Sequence, residues 1–179
     1  MSETKVVTGP KTRFSYANVF EAKAGPQGGD PKYSTALLIP KTDKVTLDKI
    51  AAASAAALKQ GKEKFGAAFG TGAFKKTPLR DGDEEKPDNP EYAGMMFLNA
   101  SSKSRPQVVD KDVNPIMDQD EFYSGCYGRA SINIYPYNNV SKGIGAGLNN
   151  VQKLEDGEKL GGGSTAASDF GEFDDEGLD

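Results

Sequence analysis

The stretch Tyr123-Ser124-Gly125-Cys126-Tyr127-Gly128-Arg129-Ala130-Ser131-Ile132-Asn133-Ile134-Tyr135-Pro136-Tyr137 decides the fold. Side chains alternate across a strand, so this run separates into two rows. Ser124, Cys126, Gly128, Ala130, Ile132 and Ile134 form a small, apolar row suited to the inside of a tapering barrel. Tyr127, Arg129, Ser131, Asn133 and Tyr135, with Tyr137 beyond, form the other. An ordinary solvated strand face carries Lys, Glu and Thr. This one interleaves aromatic rings with a cation and hydrogen-bonding groups. Bases stack on aromatic faces at about 1–3 kcal/mol each while cations track phosphates, so the row reads as a ligand face. The alternative is that Tyr127 and Tyr135 pack under loops or against the first strand.

Working outward, Arg13–Ala22 has strand character, 25–31 reads as a Gly/Pro loop, and Tyr33–Ile39 is a second strand closed by Pro40. A helix begins near Asp43 or Thr46, both good N-caps, and places Leu47, Ile50, Ser54 and Leu58 on one face. Gly61 weakens it, and it should end by Gly66. Residues 66–92 read mostly as loop. Gly94–Ala100, Pro106–Val109 and Gly143–Leu154 complete five or six strands around one helix. The order predicts a mainly β fold: a small antiparallel barrel with one helix and long loops. The helix follows the second predicted strand.

Composition narrows the chemistry. The chain has 179 residues, enough for one domain with a core, and a formal net charge of -4. Residues 1–80 hold 14 Lys and Arg against 6 Asp and Glu, so the acidic total conceals a basic N-terminal half. There is no His, one Cys and no Trp. Ser-His-Asp and Cys-His catalysis are therefore excluded, as are an internal disulfide and a thiolate metal cluster. No apolar run approaches the roughly 18 residues of a membrane span, and no signal-peptide pattern opens the chain, so a soluble intracellular protein without membrane association is expected. Carboxylates gather at 81–85 and at Asp110, Asp112, Asp118, Asp120 and Glu121, but neither group has metal-loop spacing. Both read as solvated loops, and no metal or cofactor is expected. A metal-dependent nuclease is the enzymatic alternative.

Cations at Lys11, Arg13, Lys75, Lys76, Arg80, Lys103, Arg105 and Lys142 are candidates for a phosphate-tracking groove. Lys75-Lys76, in a Gly-flanked loop, is the strongest pair. Phe14, Tyr16 and Phe20 fall on one face of the first strand; core packing is expected, with Tyr16 also a candidate contact. Gly143-Ile144-Gly145-Ala146-Gly147 permits close backbone approach and marks a bent or bulged strand, without the elements of a phosphate loop.

Residues 161–168 read as a flexible Gly/Ser linker between a folded domain over 1–160 and an acidic tail over 169–179. Asp169, Phe170, Glu172, Phe173, Asp174, Asp175, Glu176 and Asp179 give that tail six carboxylates, two aromatic rings and no cation. Such a segment cannot bury enough apolar surface to fold and is expected to be disordered. It suits partner docking or competition for a basic groove, and the plain alternative is a solubility tail.

Several stretches carry a family resemblance. Residues 123–131 and 135–139, then Lys142 through Glu158, together with Pro78-Leu79-Arg80-Asp81-Gly82-Asp83 and Asn99-Ala100-Ser101-Ser102-Lys103, resemble a family of phage-encoded single-stranded-DNA-binding proteins. The resemblance spans most of 12–163. It implies an oligonucleotide-binding (OB) fold, sequence-independent binding of single strands, and a role in phage DNA replication, recombination or repair in the cytoplasm of the infected host. A simple OB barrel places its helix after the third strand, whereas here it follows the second predicted one, so either 1–22 forms two strands or loops decorate the barrel. The Phe-bearing acidic tail looks like those through which other replication single-strand binders recruit partners. Site residues rest on the strand reading: Tyr127, Tyr135, Tyr137 and Tyr16 for bases, and Arg13, Lys75, Lys76, Arg80, Lys103, Arg105, Arg129 and Lys142 for phosphates. An RNA-binding OB module is the other alternative, since 2′-hydroxyl contacts need no motif. Monomer and dimer are equally compatible with the sequence.

Overall fold

The computed structural model describes residues 3–25, 28–72, 74–139 and 141–160. Its strands are β1 (Lys5–Val7), β2 (Thr12–Gly25), β3 (Gly28–Pro40), β4 (Arg80–Asp81), β5 (Met95–Ser102), β6 (Gln107–Val109), β7 (Tyr127–Asn138) and β8 (Lys142–Glu155). Helix α1 (Lys44–Phe65) follows β3, one-turn helix α2 (Gly82–Glu85) follows β4, and a 3-10 turn spans Pro90–Tyr92.

Five strands close a ring in the order β2-β3-β5-β8-β7 and back to β2. The pairings are antiparallel except β5 with β8, where Ala100 faces Ala146. That connectivity is the OB barrel. β1 lies beside β7, with Val6 opposite Ile132, just beyond the point where Thr12 of β2 meets Gly128. The N-terminal segment thus contributes two strands, β1 and β2, that share one position in the ring. In ring order α1 still follows the second strand, so the departure from the simple OB order is real. Long connections also decorate the barrel between α1 and β5 and between β6 and β7.

The inner row of β7 behaves as its pattern demands. Gly128, Ala130, Ile132 and Ile134, with Cys126 just before the strand, are buried in one core with Leu37, Ile39, Leu98 and Ala100 and with Ile144, Ala146 and Leu148 of the neighbouring β8; Ser124, which the pattern also placed inside, is only half-buried ahead of the strand. Burial pushes the Cys126 thiol pKa up. The strand begins at Tyr127 rather than Tyr123, because Gly125 turns the backbone at φ 118. Phe14 meets Phe122 at 4.8 Å between ring centroids and closes this end of the core.

Three expectations are corrected. First, Phe14, Tyr16 and Phe20 do not share a face. The β2 register shifts between Ser15 and Asn18, and Tyr16 adopts φ 48, so Phe14 is buried while Tyr16 is 62% exposed. Second, residues 80–92 are ordered structure, not loop. Asp81 caps α2 through the Asp83 N–H, β4 pairs with β5, and Tyr92 is buried with Leu38 and Phe97 on the outside of the barrel. Hence α1 is the main helix but has a one-turn companion. Third, 25–31 is mostly strand, with β2 and β3 separated by two residues only.

Of the two proposed caps of α1, Asp43 is the one used, and Thr46 lies within the first turn. Asp43 accepts from the Thr46 N–H and from its hydroxyl, and Thr46 Oγ1 in turn accepts from the Gly9 N–H at 2.8 Å. Its buried side runs Thr46, Ile50, Ala53, Ser54, Ala57 and Gly61, packed on β1 and β7. Gly61 does not end the helix. A Cβ there would lie 2.2 Å from the Phe69 ring, so glycine is what lets Phe69 press onto the helix.

Candidate nucleic-acid interface

The outer row of β7 meets an unusual partner strand. Tyr135 sits opposite Gly145, Tyr137 opposite Gly143 and Asn133 opposite Gly147. All three glycines lie on the outer side of β8, alternating with Ile144, Ala146 and Leu148 of the core. The missing side chains let the rings lie over the neighbouring strand. A Cβ on Gly145 would come within 3.1 Å of the Tyr135 ring, and one on Gly143 within 2.5 Å of the Tyr137 hydroxyl. The two rings are 6.2 Å apart and tilted by 55°. Tyr135 is 43% exposed, and partial burial beside Tyr137 pushes its phenol pKa up.

On the far side of the glycine strip lie β5 and β4. Tyr137, Lys142, Asn99, Arg80, Lys75 and Glu85 line an open cleft of about 400 Å³ with Gly143 and Gly145 in its floor. Arg80 is placed by the pairing of β4 with β5, opposite Phe97, and its guanidinium lies 5.3 Å from that ring centre. Its Nε and Nη2 both donate to Glu85 Oε1, at 2.9 and 2.6 Å. The Arg80 hydrogen bond, reinforced by Lys75 and Lys86, holds the Glu85 carboxyl below the usual range. Among the described residues Lys75 and Lys142 form no salt bridge, which leaves both free for an anion.

The remaining sequence-derived candidates lie elsewhere. Arg13 donates from Nε to the Gly125 carbonyl at 3.0 Å and from Nη2 to the Glu158 carbonyl at 2.8 Å, with its guanidinium 5.3 Å from the Tyr127 ring centre. Arg13 and Tyr127 together clasp the segment after β8. Arg129 is exposed on the same outer row, and both its Nε and Nη2 donate to Gln152 Oε1. Lys103 approaches Asp30 at 3.9 Å, beside the β2–β3 ribbon where Lys23 faces Lys32. Arg105 lines a separate apolar hollow with Phe20, Val108 and Met117. Tyr16 projects from its bulge, and Lys76 is exposed without lining the cleft. Lys11 is exposed in the turn before β2. The acidic segment 169–179 and its linker lie outside the described residues.

Sequence reasoning missed Asn99 and Glu85, and read the glycine run as a place of close backbone approach and a bend, not as a bed for the rings. A usable signal was present: Tyr-x-Tyr at 135–137, a short turn, then Gly-x-Gly at 143–145, which registers rings over glycines in a hairpin. Of the carboxylates at 81–85, Asp81, Asp83 and Glu85 are engaged by Lys41 and Arg80, and two of those at 110–121 cap local turns. Asp110 Oδ1 accepts from the Asp112 and Asn114 N–H groups, and Asp118 Oδ1 from Asp120. Among the described residues no three His, Cys, Asp or Glu groups converge as metal ligands. None of the described helices is long and apolar enough to cross a membrane.

A closed OB barrel with an exposed tyrosine beside a half-buried one, and a cation-lined cleft on its outer face, defines an oligonucleotide-binding type of protein. The comparisons specify the family. Residues 4–178 match the profile described as Enterobacter phage Enc34, ssDNA-binding protein, and the chain belongs to that family. It is 35% identical over 175 residues, 91% of its length and 89% of the other's, to putative protein p50 of Acyrthosiphon pisum secondary endosymbiont phage 1. Among solved structures it resembles the single-stranded DNA-binding protein of bacteriophage Enc34 in complex with ssDNA. That match has a TM-score of 0.79 and 28% identity, over 89% of this chain and 91% of that one. Bacteriophage T7 gp2.5, a single-stranded DNA binding protein, shares the fold at TM-score 0.58 and 18% identity, over 94% of both chains.

Proposed function

We propose that this chain binds single-stranded DNA without regard to sequence and protects it during phage DNA replication, recombination or repair in the host cytoplasm. The observation that carries the reading is the Tyr135–Tyr137 pair laid over the glycine strip beside Lys75, Arg80 and Lys142. Family membership supports it, as does the ssDNA held by the Enc34 relative.

The mechanism follows from the geometry. Tyr135 offers one ring face to a base while its other face rests on backbone, so a stacked base adds contact without reordering the ring. Every base has a π face, so stacking is indifferent to sequence. Lys75 and Lys142 meet the phosphates, and Arg80 can join them. Asn99 can hydrogen-bond to a sugar or base edge. Arg13, Tyr16, Lys76, Lys103, Arg105, Tyr127 and Arg129 serve as flanking contacts for a longer strand. A duplex binds worse, because its bases are already stacked and cannot reach the rings. The protein acts by binding, not by catalysis. The acidic segment 169–179 recruits replication or recombination proteins through Phe170 and Phe173, and its six carboxylates compete with DNA for the cations.

Fluorescence anisotropy with labelled oligo-dT, matched RNA and duplex DNA, over a salt series, tests this for the full chain and for residues 1–168. Preference for oligo-dT, steep salt dependence and tighter binding on truncation are expected. Equal binding of RNA would favour the RNA module. Equal affinity of the two chains would remove the competing role of the acidic segment.

A further inference from the structure

Glu85 stands out within the cleft, and the following inference rests on the single-strand reading above. It is an acid placed among cations that the proposed ligand's phosphates would seek. Lys75, Arg80 and Lys142 line the cleft with it, and Glu85 is the carboxylate among these lining residues. The two groups of the ion pair are mounted differently. Arg80 sits on β4, fixed by pairing with β5 and by the Phe97 ring under its guanidinium. Glu85 ends a helix of a single turn, and its side chain is about a third exposed. The Arg80 side chain is 42% exposed, but its guanidinium keeps the Phe97 ring beside it when its partner changes, whereas Glu85 sits at a helix end from which it can turn into solvent.

We infer that Glu85 is a resident counter-anion: it occupies the Arg80 guanidinium in the free protein and yields it to a DNA phosphate on binding. Arg80 presents a planar fork suited to carboxylate and phosphate alike, so the two oxyanions compete for the same Nε and Nη2 donors. An exposed pair of this kind is weak enough to exchange. The exchange tunes the site in two ways. It lowers affinity by the work of releasing Glu85. It also softens the salt dependence, because the freed carboxylate takes up a cation as the phosphate gives one up.

The test is oligo-dT anisotropy over a salt series with Glu85→Gln, Arg80→Gln and the double variant, each checked for folding by thermal melt. Glu85→Gln should bind several-fold tighter at low salt, with a log–log salt slope steeper by up to about 0.7. The gain should vanish when Arg80 is already Gln. Glu85→Ala serves as a second removal of the charge should Gln perturb the turn, and should show the same gain. Weaker or unchanged binding by Glu85→Gln would overturn the inference and make Glu85 a positioning residue for Arg80. If the unmodified protein fails to bind oligo-dT at low salt, the single-strand reading itself fails instead.

Discussion

At the scale of the residue, alternation along β7 was legible, although Ser124 falls before the strand and Tyr127, Ser131 and Tyr137 are half-buried. It separated Cys126, Gly128, Ala130, Ile132 and Ile134, which are buried, from Arg129, Asn133 and Tyr135, which are exposed. It could not tell which outward groups are already engaged. Arg13, Tyr127 and Arg129 look as available in the sequence as Tyr135. Their partners Gly125, Glu158 and Gln152 arrive from segments up to 145 positions away. The acidic run at 81–85 was unreadable for the same reason. Lys41, in the turn just after β3, reaches Asp81 at 2.9 Å and Asp83 at 2.7 Å. Both carboxyls are held below their usual range, first by the hydrogen bond from Lys41. A carboxyl whose pKa is depressed by folding contributes stability above its unfolded pKa, and loses it as the pH falls through the folded value. Lys41→Met should therefore melt at a lower temperature than the parent at neutral pH. The gap should close as the pH falls below the usual aspartate value of about 3.9. A gap that persists in acid would mean that Lys41 acts by packing alone.

At the scale of the element, the helix and the long strands were visible because propensity, capping and periodicity agree there. Asp43 with Thr46 marks the start of α1, and Gly66 caps its end. Where they conflict, long-range packing decides. Gly61 looks like a helix breaker until Phe69 is seen resting on it, with Phe74 4.7 Å from Phe69 in turn. Gly61→Ala gains about 1 kcal/mol of helix propensity. It also drives a methyl into that ring, and overpacking costs about 1–3 kcal/mol. A lower melting temperature is expected; a higher one would show that Phe69 can move aside at little cost. The short elements β4, α2 and β1 carry no periodicity to read, since two to four residues cannot express one. They exist because β5, Lys41 and β7 supply their partners.

At the scale of the whole molecule, the ring closure was foreseeable only as a class. The parallel contact of β5 with β8 pairs residues some 46 positions apart and leaves no local trace. The basic N-terminal half, by contrast, could be counted in advance. It reaches the site mainly through Lys75 and Arg80, which the fold lays beside Tyr137 and Lys142 of the acidic half. The outer face of the barrel thus combines cations from one half with rings from the other. The most direct test of that assembly is oligo-dT binding at fixed low salt by the parent, by Tyr135→Ala with Tyr137→Ala, and by Tyr127→Ala. Stacking is worth about 1–3 kcal/mol per ring, so the double variant should lose tens-fold or more in affinity while remaining folded. Tyr127→Ala, whose ring is clasped by Arg13, should lose far less. Unchanged affinity in a folded double variant would contradict the account and move the site off this face of the barrel.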